Sequence, residues 1–385
     1  MKTVAIIGAG AAGCFCAAEL RRVAPEVAVT LFEAGSKPLA KVAITGGGRC
    51  NLTNDFEGIR SLAEAYPRGE RVMKRALKAF SQEDTIRWFT QRGVPCTLQE
   101  DHCWFPVSQD ALDVVRCLLR EMKGAELKLN SPIKNLPQGF DYVVVTTGGM
   151  NKGASFLESL DLEIIPPVPS LLTLNIPDKS LTALMGLVVN ASISLQGTPF
   201  KAGGPLLITD WGISGPATLK LSSYAARHLA QSQYKGTVAI NWLDRSENEV
   251  REMLQKSASG SPQKQIVNTP LLLQQRLWEH IVLRSGLRPD IRWAELGSKG
   301  LNRLTAALTQ DTYPVSGKGK FKEEFVTAGG IGLSNIDLST LECKRYPGLF
   351  FAGEILDIDA ITGGFNLQAA WSTGYVCAQS ILKRL

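Results

Sequence analysis

The pattern of apolar and polar positions predicts an α/β fold at the N-terminus. An uncharged segment, residues 3–18, begins with a β-branched run, passes through three spaced glycines and ends in an alanine-rich helical pattern. A second β-type run, residues 27–35, follows this helix. Strand, glycine turn, helix and strand in this order are typical of a βαβ unit with parallel strands.

Two amphipathic helices and another buried strand are predicted next. Apolar positions at helical spacing predict helices within residues 81–93 and 105–124, with Ser81 and Ser108 as their respective N-terminal caps. Residues 140–149 form an apolar β-type run that ends in a glycine turn. Such a run indicates a strand of a parallel sheet that is covered on both faces.

Beyond residue 160 the pattern changes. Short β-type runs separated by Pro and Gly, among them residues 205–226, predict an antiparallel sheet or barrel. Residues 246–310 are polar and show helical spacing. A strand at residues 349–352 then precedes a long helix that we expect to begin at about Asn366.

Composition is that of an ordinary globular protein. The chain has 385 residues, of which 44% are apolar and 20% charged, and its net charge is +6. Eight scattered cysteines predict reduced thiols, and their spacing, with three histidines in all, predicts no metal site. The glycines within residues 3–18 argue against a signal peptide, and no window reaches transmembrane length. We therefore expect a cytoplasmic protein without a membrane partner.

One stretch carries a local excess of positive charge. Between residues 284 and 322 eight basic residues accompany three acidic ones, which are Asp290, Glu295 and Asp311. The basic residues are Arg284, Arg288, Arg292, Lys299, Arg303, Lys318, Lys320 and Lys322. Such a run is typical of a solvated surface, and an anionic partner such as RNA is the alternative.

Gly8, Gly10 and Gly13 form the fingerprint of dinucleotide binding in its full context. The first glycine allows the tight turn, the second lets the backbone approach the pyrophosphate, and the third lets the helix pack on the strand. Glu33, at the end of the second strand, would accept hydrogen bonds from the adenosine ribose. FAD and NAD both use this fold. Since no second copy lies between a strand and a helix, we expect one permanently bound dinucleotide.

Three further glycine-rich segments are candidates for contact with the cofactor. Residues 41–54, "KVAITGGGRCNLTN", contain three consecutive glycines, which predict unusual backbone angles or the close approach of another group. Residues 146–149, "TTGG", follow a predicted strand at the carboxyl edge of the sheet. Gly363 and Gly364 open the last helix, whose N-terminus would favour the negative charge of a reduced flavin.

The sequence resembles the YhiN/BaiN-like flavoproteins, also called aminoacetone-oxidase-type FAD-binding enzymes. The likeness spans nearly the whole chain and is carried by "GAGAAG", "GGGRCNLTN", "FPVS", "GISGPATLKLS", "TAGGI" and "FAGEILDIDAITGGFNLQAAWSTG". It implies FAD as the cofactor and an α/β Rossmann-type FAD-binding domain interrupted by a β-rich, barrel-like domain that carries a small helical insert. The expected order is FAD-binding domain 1–160, β-rich domain 161–243, helical insert 244–308, β-rich domain 309–325 and FAD-binding domain 326–385.

The fingerprint, the glycine-rich segments and the resemblance together predict the residues that bind FAD. In the glycine-rich loop, Arg49 would supply positive charge, and Asn51 and Thr53 hydrogen bonds. The full predicted set is Gly8, Gly10, Ala11, Ala12, Gly13, Glu33, Lys41, Gly46, Gly47, Gly48, Arg49, Cys50, Asn51, Thr53, Ile133, Thr146, Thr147, Gly148, Gly353, Glu354, Gly363, Gly364, Phe365, Asn366 and Leu367.

The sequence identifies no catalytic residue and offers Cys50 and Asp210 as candidates. The Cys50 thiol could donate a proton to a substrate or fill a small space, and packing is favoured because no neighbouring His or Lys in the sequence would lower its pKa. Members of the family commonly carry Thr-His where this chain has Thr209-Asp210. If that histidine moves protons in the relatives, Asp210 must do so differently or not at all.

The predicted function is that of an FAD-dependent oxidoreductase in which flavin N5 exchanges hydride with a small organic substrate. NAD(P)H, bound transiently, or O₂ would be the redox partner. Two alternatives stay open. The first, implied by the family resemblance, is an RNA-modifying flavin reductase that forms dihydrouridine in ribosomal RNA. The second is a flavin-binding protein without enzymatic activity.

Overall fold

The structure is a computed structural model that describes residues 1–150, 152–319 and 326–385. Lys320 and Lys322 of the predicted basic stretch lie outside the described residues. The chain divides into two compact units, one made of Met1–Val168 and Val326–Leu385 and the other of Pro169–Phe325. Within the described ranges, no helix combines the length and the apolar character that crossing a bilayer requires.

The strands are distributed over both units and are numbered along the chain. They are β1 Thr3–Ile7, β2 Ala28–Phe32, β3 Thr53–Asn54, β4 Cys96–Leu98, β5 Cys103–Pro106, β6 Glu126–Lys128, β7 Tyr142–Val145, β8 Ile164–Ser170, β9 Leu174–Asn175, β10 Val188–Leu195, β11 Lys201–Ile208, β12 Gly212–Ser214, β13 Gly236–Asn241, β14 Asp311–Val315, β15 Gly317–Lys318, β16 Val326–Ile331 and β17 Leu349–Phe351.

The helices are numbered in the same way. They are α1 Ala11–Val23, α2 Ala40–Gly48, α3 Leu62–Ala65, α4 Glu70–Ala79, α5 Gln82–Thr90, α6 Ala111–Glu121, α7 Lys179–Thr182, α8 Gly215–Tyr224, α9 Ala226–Gln231, α10 Glu247–Gly260, α11 Gln275–Arg284, α12 Gly297–Thr309 and α13 Phe365–Leu382.

The first unit is built on a five-stranded parallel sheet in the order β17-β7-β1-β2-β6. The central strand β1 pairs with β2 from Thr3–Ala28 to Ile7–Phe32, and with β7 on its other side. α1 packs against α13, and both helices bury nearly all of their small and apolar residues. A parallel sheet with packed helices confirms the predicted Rossmann-type domain.

The second unit contains a seven-stranded sheet in the order β14-β13-β10-β11-β12-β9-β15, and its paired strands are antiparallel. The helices α10, α11 and α12 follow β13 in the chain, which confirms the helical pattern predicted for residues 246–310. Three fully or almost fully buried tryptophans, Trp242, Trp278 and Trp293, belong to the core of this unit. An antiparallel sheet domain is therefore present, as predicted.

Two local predictions were wrong. Ser108 does not cap α6, because β5 continues to Pro106 and Gln109 adopts a left-handed φ of 55°, so the helix begins only after Asp110. Asp110 is the cap and accepts from the Leu112 N–H at 2.9 Å. The end of the β-type run 205–226 is also helical, since Pro216 in the first turn after β12 initiates α8. Elsewhere Ser81 caps α5 as predicted, with a capping box to Asp84.

Candidate functional site

The dinucleotide fingerprint follows β1 and leaves a free space at one glycine. Gly8 has φ 106°, and a Cβ there would lie 2.4 Å from the Thr146 carbonyl oxygen. A Cβ at Gly13 would lie 2.1 Å from the Gly8 oxygen. At Gly10, in contrast, no described atom beyond its two neighbours in the chain lies within 4 Å of an added Cβ. The first and third glycines are required by packing, and the space beside the second fits the pyrophosphate of a dinucleotide.

The polar groups around this space fit an anionic ligand. α1 begins directly after Gly10 and has no side-chain cap, so its first N–H groups are available to a phosphate. At the end of β7, the Thr147 hydroxyl is buried and has no hydrogen-bond partner among the described residues. A buried hydroxyl without a partner is costly unless a ligand satisfies it. The residues present therefore fit a dinucleotide.

Glu33 ties the fingerprint loop to the end of β2. Its Oε2 accepts from the Ala9 N–H at 2.9 Å, and its Oε1 accepts from the Gly35 N–H at 2.8 Å. Each carboxylate oxygen keeps capacity for a ribose hydroxyl. The Ser131 N–H donates to the Glu33 carbonyl oxygen at 2.8 Å, which brings the loop containing Ile133 to this side of the sheet.

The three consecutive glycines break α2. Gly46, Gly47 and Gly48 all have left-handed φ values, of 58°, 70° and 85°. A Cβ at Gly46 would lie 2.9 Å from the Phe105 ring, whereas no described neighbour lies within 4 Å at the other two. Arg49 lies over the Phe105 ring at 4.5 Å and donates to the Gly46 carbonyl oxygen at 3.1 Å. The loop thus carries an open backbone and a fixed positive charge.

Cys50 is buried behind this loop. It has no exposed surface and a left-handed φ of 62°. Burial raises the pKa of its thiol to about 12, although a hydrogen bond with Thr45 acts in the opposite direction. The thiol is therefore protonated at neutral pH and does not reach the surface of the unit.

The start of α13 lies close to the glycine-rich segment, residues 41–54. Gly363 and Gly364 have φ values of 126° and 86°, and a Cβ at Gly364 would lie 2.5 Å from the Thr53 carbonyl oxygen. Asn54 donates to the Gly363 carbonyl oxygen at 3.0 Å. With its amide turned so that both ends are satisfied, Asn51 accepts from the Gly364 N–H at 3.3 Å. The glycine-rich segment and the start of the C-terminal helix therefore lie in direct contact.

The remaining predicted residues of this unit lie along the same edge. Glu354 accepts from the Thr327 N–H at 2.8 Å and pairs with Lys41 at 3.2 Å. Gly353 has φ 76°, and a Cβ there would lie 3.0 Å from the Ala12 Cβ, which brings the end of β17 close to α1. In the first turn of α13, Asn366 accepts from the Ala360 N–H and donates to the Ala360 carbonyl oxygen, at 2.9 and 3.0 Å.

Several residues that the sequence did not predict hold the turn before α13. Arg68 makes a two-pronged ion pair with the buried Asp359, and the Tyr66 hydroxyl donates to the Phe365 carbonyl oxygen at 2.9 Å. Gln368, which is fully buried, accepts from the Thr53 hydroxyl at 2.6 Å. Their signal in the sequence is weak, since a polar residue within an apolar helix indicates burial with a partner but does not identify the partner.

Asp210 belongs to the other unit. It is exposed in the turn between β11 and β12.

In the basic stretch, part of the positive charge is neutralised by ion pairs within the unit, because Arg284 pairs with Asp311 and Asp178. Arg288 likewise lies 3.6 Å from both Asp290 and Glu295.

One cluster of possible metal-ligating side chains was not predicted from the sequence. Asp55, Glu57 and His102 place possible metal-ligand atoms within 4.8 Å of one another. His102 Nδ1 lies 3.0 Å from Asp55, and this contact raises the pKa of His102. Exposed groups of this kind are common without a metal, so the cluster alone assigns no metal site.

Comparison with known proteins covers both units. Residues 2–380 match the family model of the HI0933-like protein Rossmann domain. The Ribosomal RNA dihydrouridine synthase of Haemophilus influenzae is 31% identical over 98% of this chain and 98% of its own length. The protein of the same name from Escherichia coli K12 is 29% identical over 98% and 97%. The 3-dehydro-bile acid delta(4,6)-reductase of Clostridium scindens is 26% identical over 100% of both chains.

A solved structure supports the fold. The 3-ketosteroid delta1-dehydrogenase of Sterolibacterium denitrificans matches with a TM-score of 0.52 and 12% identity over 100% of both chains. At that identity the match shows the fold alone. The family match over almost the whole length confirms the resemblance found in the motifs and the assignment of FAD. The chain therefore belongs to the HI0933-like, or YhiN/BaiN-like, family of FAD-dependent oxidoreductases.

Proposed function

We propose that this protein is a flavin-dependent reductase that forms dihydrouridine in ribosomal RNA. The observation that carries the proposal is the likeness, at 29% and 31% identity, to two relatives named Ribosomal RNA dihydrouridine synthase. It extends over 98% of this chain and so includes both units. For this reason we favour the RNA-modifying hypothesis over that of a small organic substrate.

The proposed reaction suits a flavin site. The C5–C6 double bond of uracil is conjugated to a carbonyl group, so hydride addition at C6 is completed by a proton at C5. Bound FAD would supply the hydride after taking it up from a nicotinamide. Gly10 borders the space that would hold the cofactor, Thr147 lies against the neighbouring Gly8, and Arg49 adds positive charge to the glycine-rich loop.

The charge distribution supports a polyanionic partner. The unit Pro169–Phe325 contains eighteen Lys and Arg residues against twelve Asp and Glu, a net charge of +6. The other unit contains twenty-four of each. The entire net charge of the protein is thus carried by one unit, and a positive surface attracts the phosphates of a nucleic acid without regard to sequence.

The test uses purified, FAD-loaded protein with NADH or NADPH and an unmodified ribosomal RNA transcript. We expect a gain of two hydrogen atoms in specific uridines, detected by mass analysis of nuclease digests. Free uridine should react far more slowly, since it lacks the phosphate contacts. An RNA that stays unmodified while the flavin is reduced by the nicotinamide would overturn the RNA assignment and leave the flavoprotein assignment intact.

A second candidate is the reduction of a small conjugated ketone. It is favoured by the likeness, at 26% identity over the full length, to a 3-dehydro-bile acid delta(4,6)-reductase. The same protein preparation should therefore be assayed with a 3-oxo-Δ4 steroid. Turnover of the steroid without turnover of the RNA would make this the function.

A further inference from the structure

A row of two polar residues and two glycines crosses the antiparallel sheet of the second unit. Thr209 directly follows β11, and its N–H donates to the Gly212 carbonyl oxygen of β12 at 2.9 Å, which extends the pairing of these two strands. Gly212 pairs with Asn175 of β9, and Asn175 pairs with Gly317 of β15. Polar residues and glycines therefore alternate across four neighbouring strands.

The two polar side chains of this row point away from the apolar core of the unit. Ile208 and Leu174, which precede Thr209 and Asn175 in the chain, both belong to that core. Successive side chains of a strand point to opposite faces, so Thr209 and Asn175 share the other face of the sheet. Their Cα atoms are two strands and thus about 10 Å apart, and the residue between them, Gly212, has no side chain.

Each of these two side chains has a buried atom without a hydrogen bond. Thr209 is only 6% exposed, and its Oγ1 has no partner among the described residues. Asn175 Oδ1 is also buried and finds no donor in the part of the chain that the structure describes. A buried polar atom without a partner costs stability, so two of them on one face of a sheet point to a ligand that satisfies both.

The chemistry of the two atoms restricts the ligand. An amide oxygen only accepts, so the ligand must offer an N–H or O–H group to Asn175. The Thr209 hydroxyl can donate to a neighbouring carbonyl oxygen. The uracil ring presents N3–H beside the O4 carbonyl on one edge and therefore offers both groups in one plane.

An aromatic side chain lies on the same face. Thr173 shares that face, since it lies two residues before Asn175. A Cβ added at Gly319 would collide with the Thr173 hydroxyl and would lie 3.5 Å from Trp211 Nε1, which places the half-buried indole beside this pair. Proteins recognise single-stranded bases by combining hydrogen bonds to the base edge with an aromatic surface.

We infer that this face of the second unit recognises a uracil base, with Asn175 Oδ1 accepting from N3–H and the Thr209 hydroxyl donating to O4. The inference rests on the proposed function, because it names the base that the RNA substrate would present. Both residues determine specificity, and the reduction of FAD by a nicotinamide does not require them.

The test measures how strongly RNA binding depends on the uracil edge, with FAD-loaded protein and without a nicotinamide. The probe is a fluorescent oligoadenylate with one central uridine, compared with the same strand carrying 3-methyluridine, whose N3 has no proton. We expect the wild type to bind the uridine strand about tenfold more tightly, because the methylated base leaves Asn175 Oδ1 unsatisfied. N175A should lose this preference. T209V should bind the uridine strand several-fold more weakly, whereas T209S keeps the hydroxyl and should bind like the wild type.

The matched controls are T237V on β13 and N190A on β10, which change exposed side chains of the same sheet and should bind like the wild type. The melting temperature separates recognition from a structural role. T209V should be at least as stable as the wild type, because the hydroxyl that it removes has no partner among the described residues.

Equal affinity of the wild type for the two strands, or unchanged binding by N175A and T209V, would overturn the inference. A lower melting temperature of T209V with unchanged binding would do the same, because the hydroxyl would then serve the fold. If N175A does not fold, T209V and T209S decide.

Dihydrouridine formation in a ribosomal RNA transcript is scored separately. Uracil-dependent binding without dihydrouridine would overturn the proposed function and leave this inference intact. Dihydrouridine formed by N175A and T209V with the kcat and KM of the wild type would overturn the inference and leave the proposed function intact.

Discussion

At the scale of single residues, the fingerprint glycines have different roles although they look alike in the sequence. Gly8 and Gly13 are required by backbone and side-chain contacts below 3 Å, whereas Gly10 borders free space. Their spacing made the dinucleotide loop predictable, because the motif is local and its geometry follows from the turn between β1 and α1. The sequence alone could not separate the glycines required by packing from the one that borders free space.

Replacing Gly10 by valine should abolish FAD binding and leave the fold intact. Gly10 has φ −86°, which valine can adopt, and the added side chain would occupy the space that fits the pyrophosphate. The measurement is flavin absorbance per protein together with the melting temperature of the flavin-free protein. The matched control is G260V, at an open position at the end of α10, which should keep its flavin. Full flavin content in G10V would refute the dinucleotide site.

Replacing Cys50 by alanine should leave the reductase activity of the folded enzyme close to that of the wild type. The thiol has no exposed surface, so we propose that it fills space beneath the glycine-rich loop. Loss of a general acid would instead slow turnover roughly 10²- to 10⁴-fold. Single-turnover oxidation of the reduced flavin by substrate distinguishes the two. A rate loss of that size, with normal flavin content, would make Cys50 the proton donor.

At the scale of elements, the turn before α13 is clamped by a segment almost three hundred residues earlier. The segment between α3 and α4 contributes Tyr66, Arg68 and Gly69, and a Cβ at Gly69 would lie 2.7 Å from Ile358. Helices and strands could be predicted because their periodicity is local. The contacts between this segment and the turn before α13 could not be predicted, because they are set by the tertiary fold and leave no periodic signal in either segment.

Removing one partner of the buried Arg68–Asp359 pair should destabilise the first unit. We expect R68L to lower the free energy of unfolding by about 3–5 kcal/mol, because it removes the guanidinium that forms the two-pronged ion pair with the buried Asp359 carboxylate. The double variant R68L/D359L should lose less than the sum of the two single variants. Urea unfolding of all three measures this coupling.

The exposed pair Arg345–Asp161 is the control for that cycle. Its removal should change the free energy of unfolding little, because solvent screens exposed charges. Additive losses of unfolding free energy in the Arg68 and Asp359 variants would show that the two residues do not stabilise the unit as a pair.

At the scale of the whole molecule, the eight cysteines are free thiols, and seven of them are buried. Burial raises the pKa of Cys50 from 9.0 to about 12 and raises those of Cys14, Cys16 and Cys377 well above the usual range. A group whose pKa is raised on folding contributes its full stability below its unfolded pKa and loses it as the pH rises. These thiols therefore predict loss of stability above about pH 9.

The free energy of unfolding should be insensitive to these thiols between pH 7 and 8 and should fall steeply above pH 9. Each buried thiol contributes a slope of about 1.4 kcal/mol per pH unit in that range. Urea unfolding in the presence of a reductant, at several pH values, measures it. In the variant C50A, the slope of the unfolding free energy against pH should be shallower by the contribution of one thiol. Identical slopes in variant and wild type would contradict the burial of Cys50.

The most direct test of the proposed function is the dihydrouridine content of ribosomal RNA in cells. An Escherichia coli strain that lacks its own ribosomal RNA dihydrouridine synthase would express this chain or its G10V variant, with both proteins present at equal levels. We predict that mass analysis of the whole ribosomal RNA finds dihydrouridine restored by the wild-type chain and absent with G10V. Ribosomal RNA without dihydrouridine, in cells that contain the wild-type protein with its FAD bound, would contradict the account.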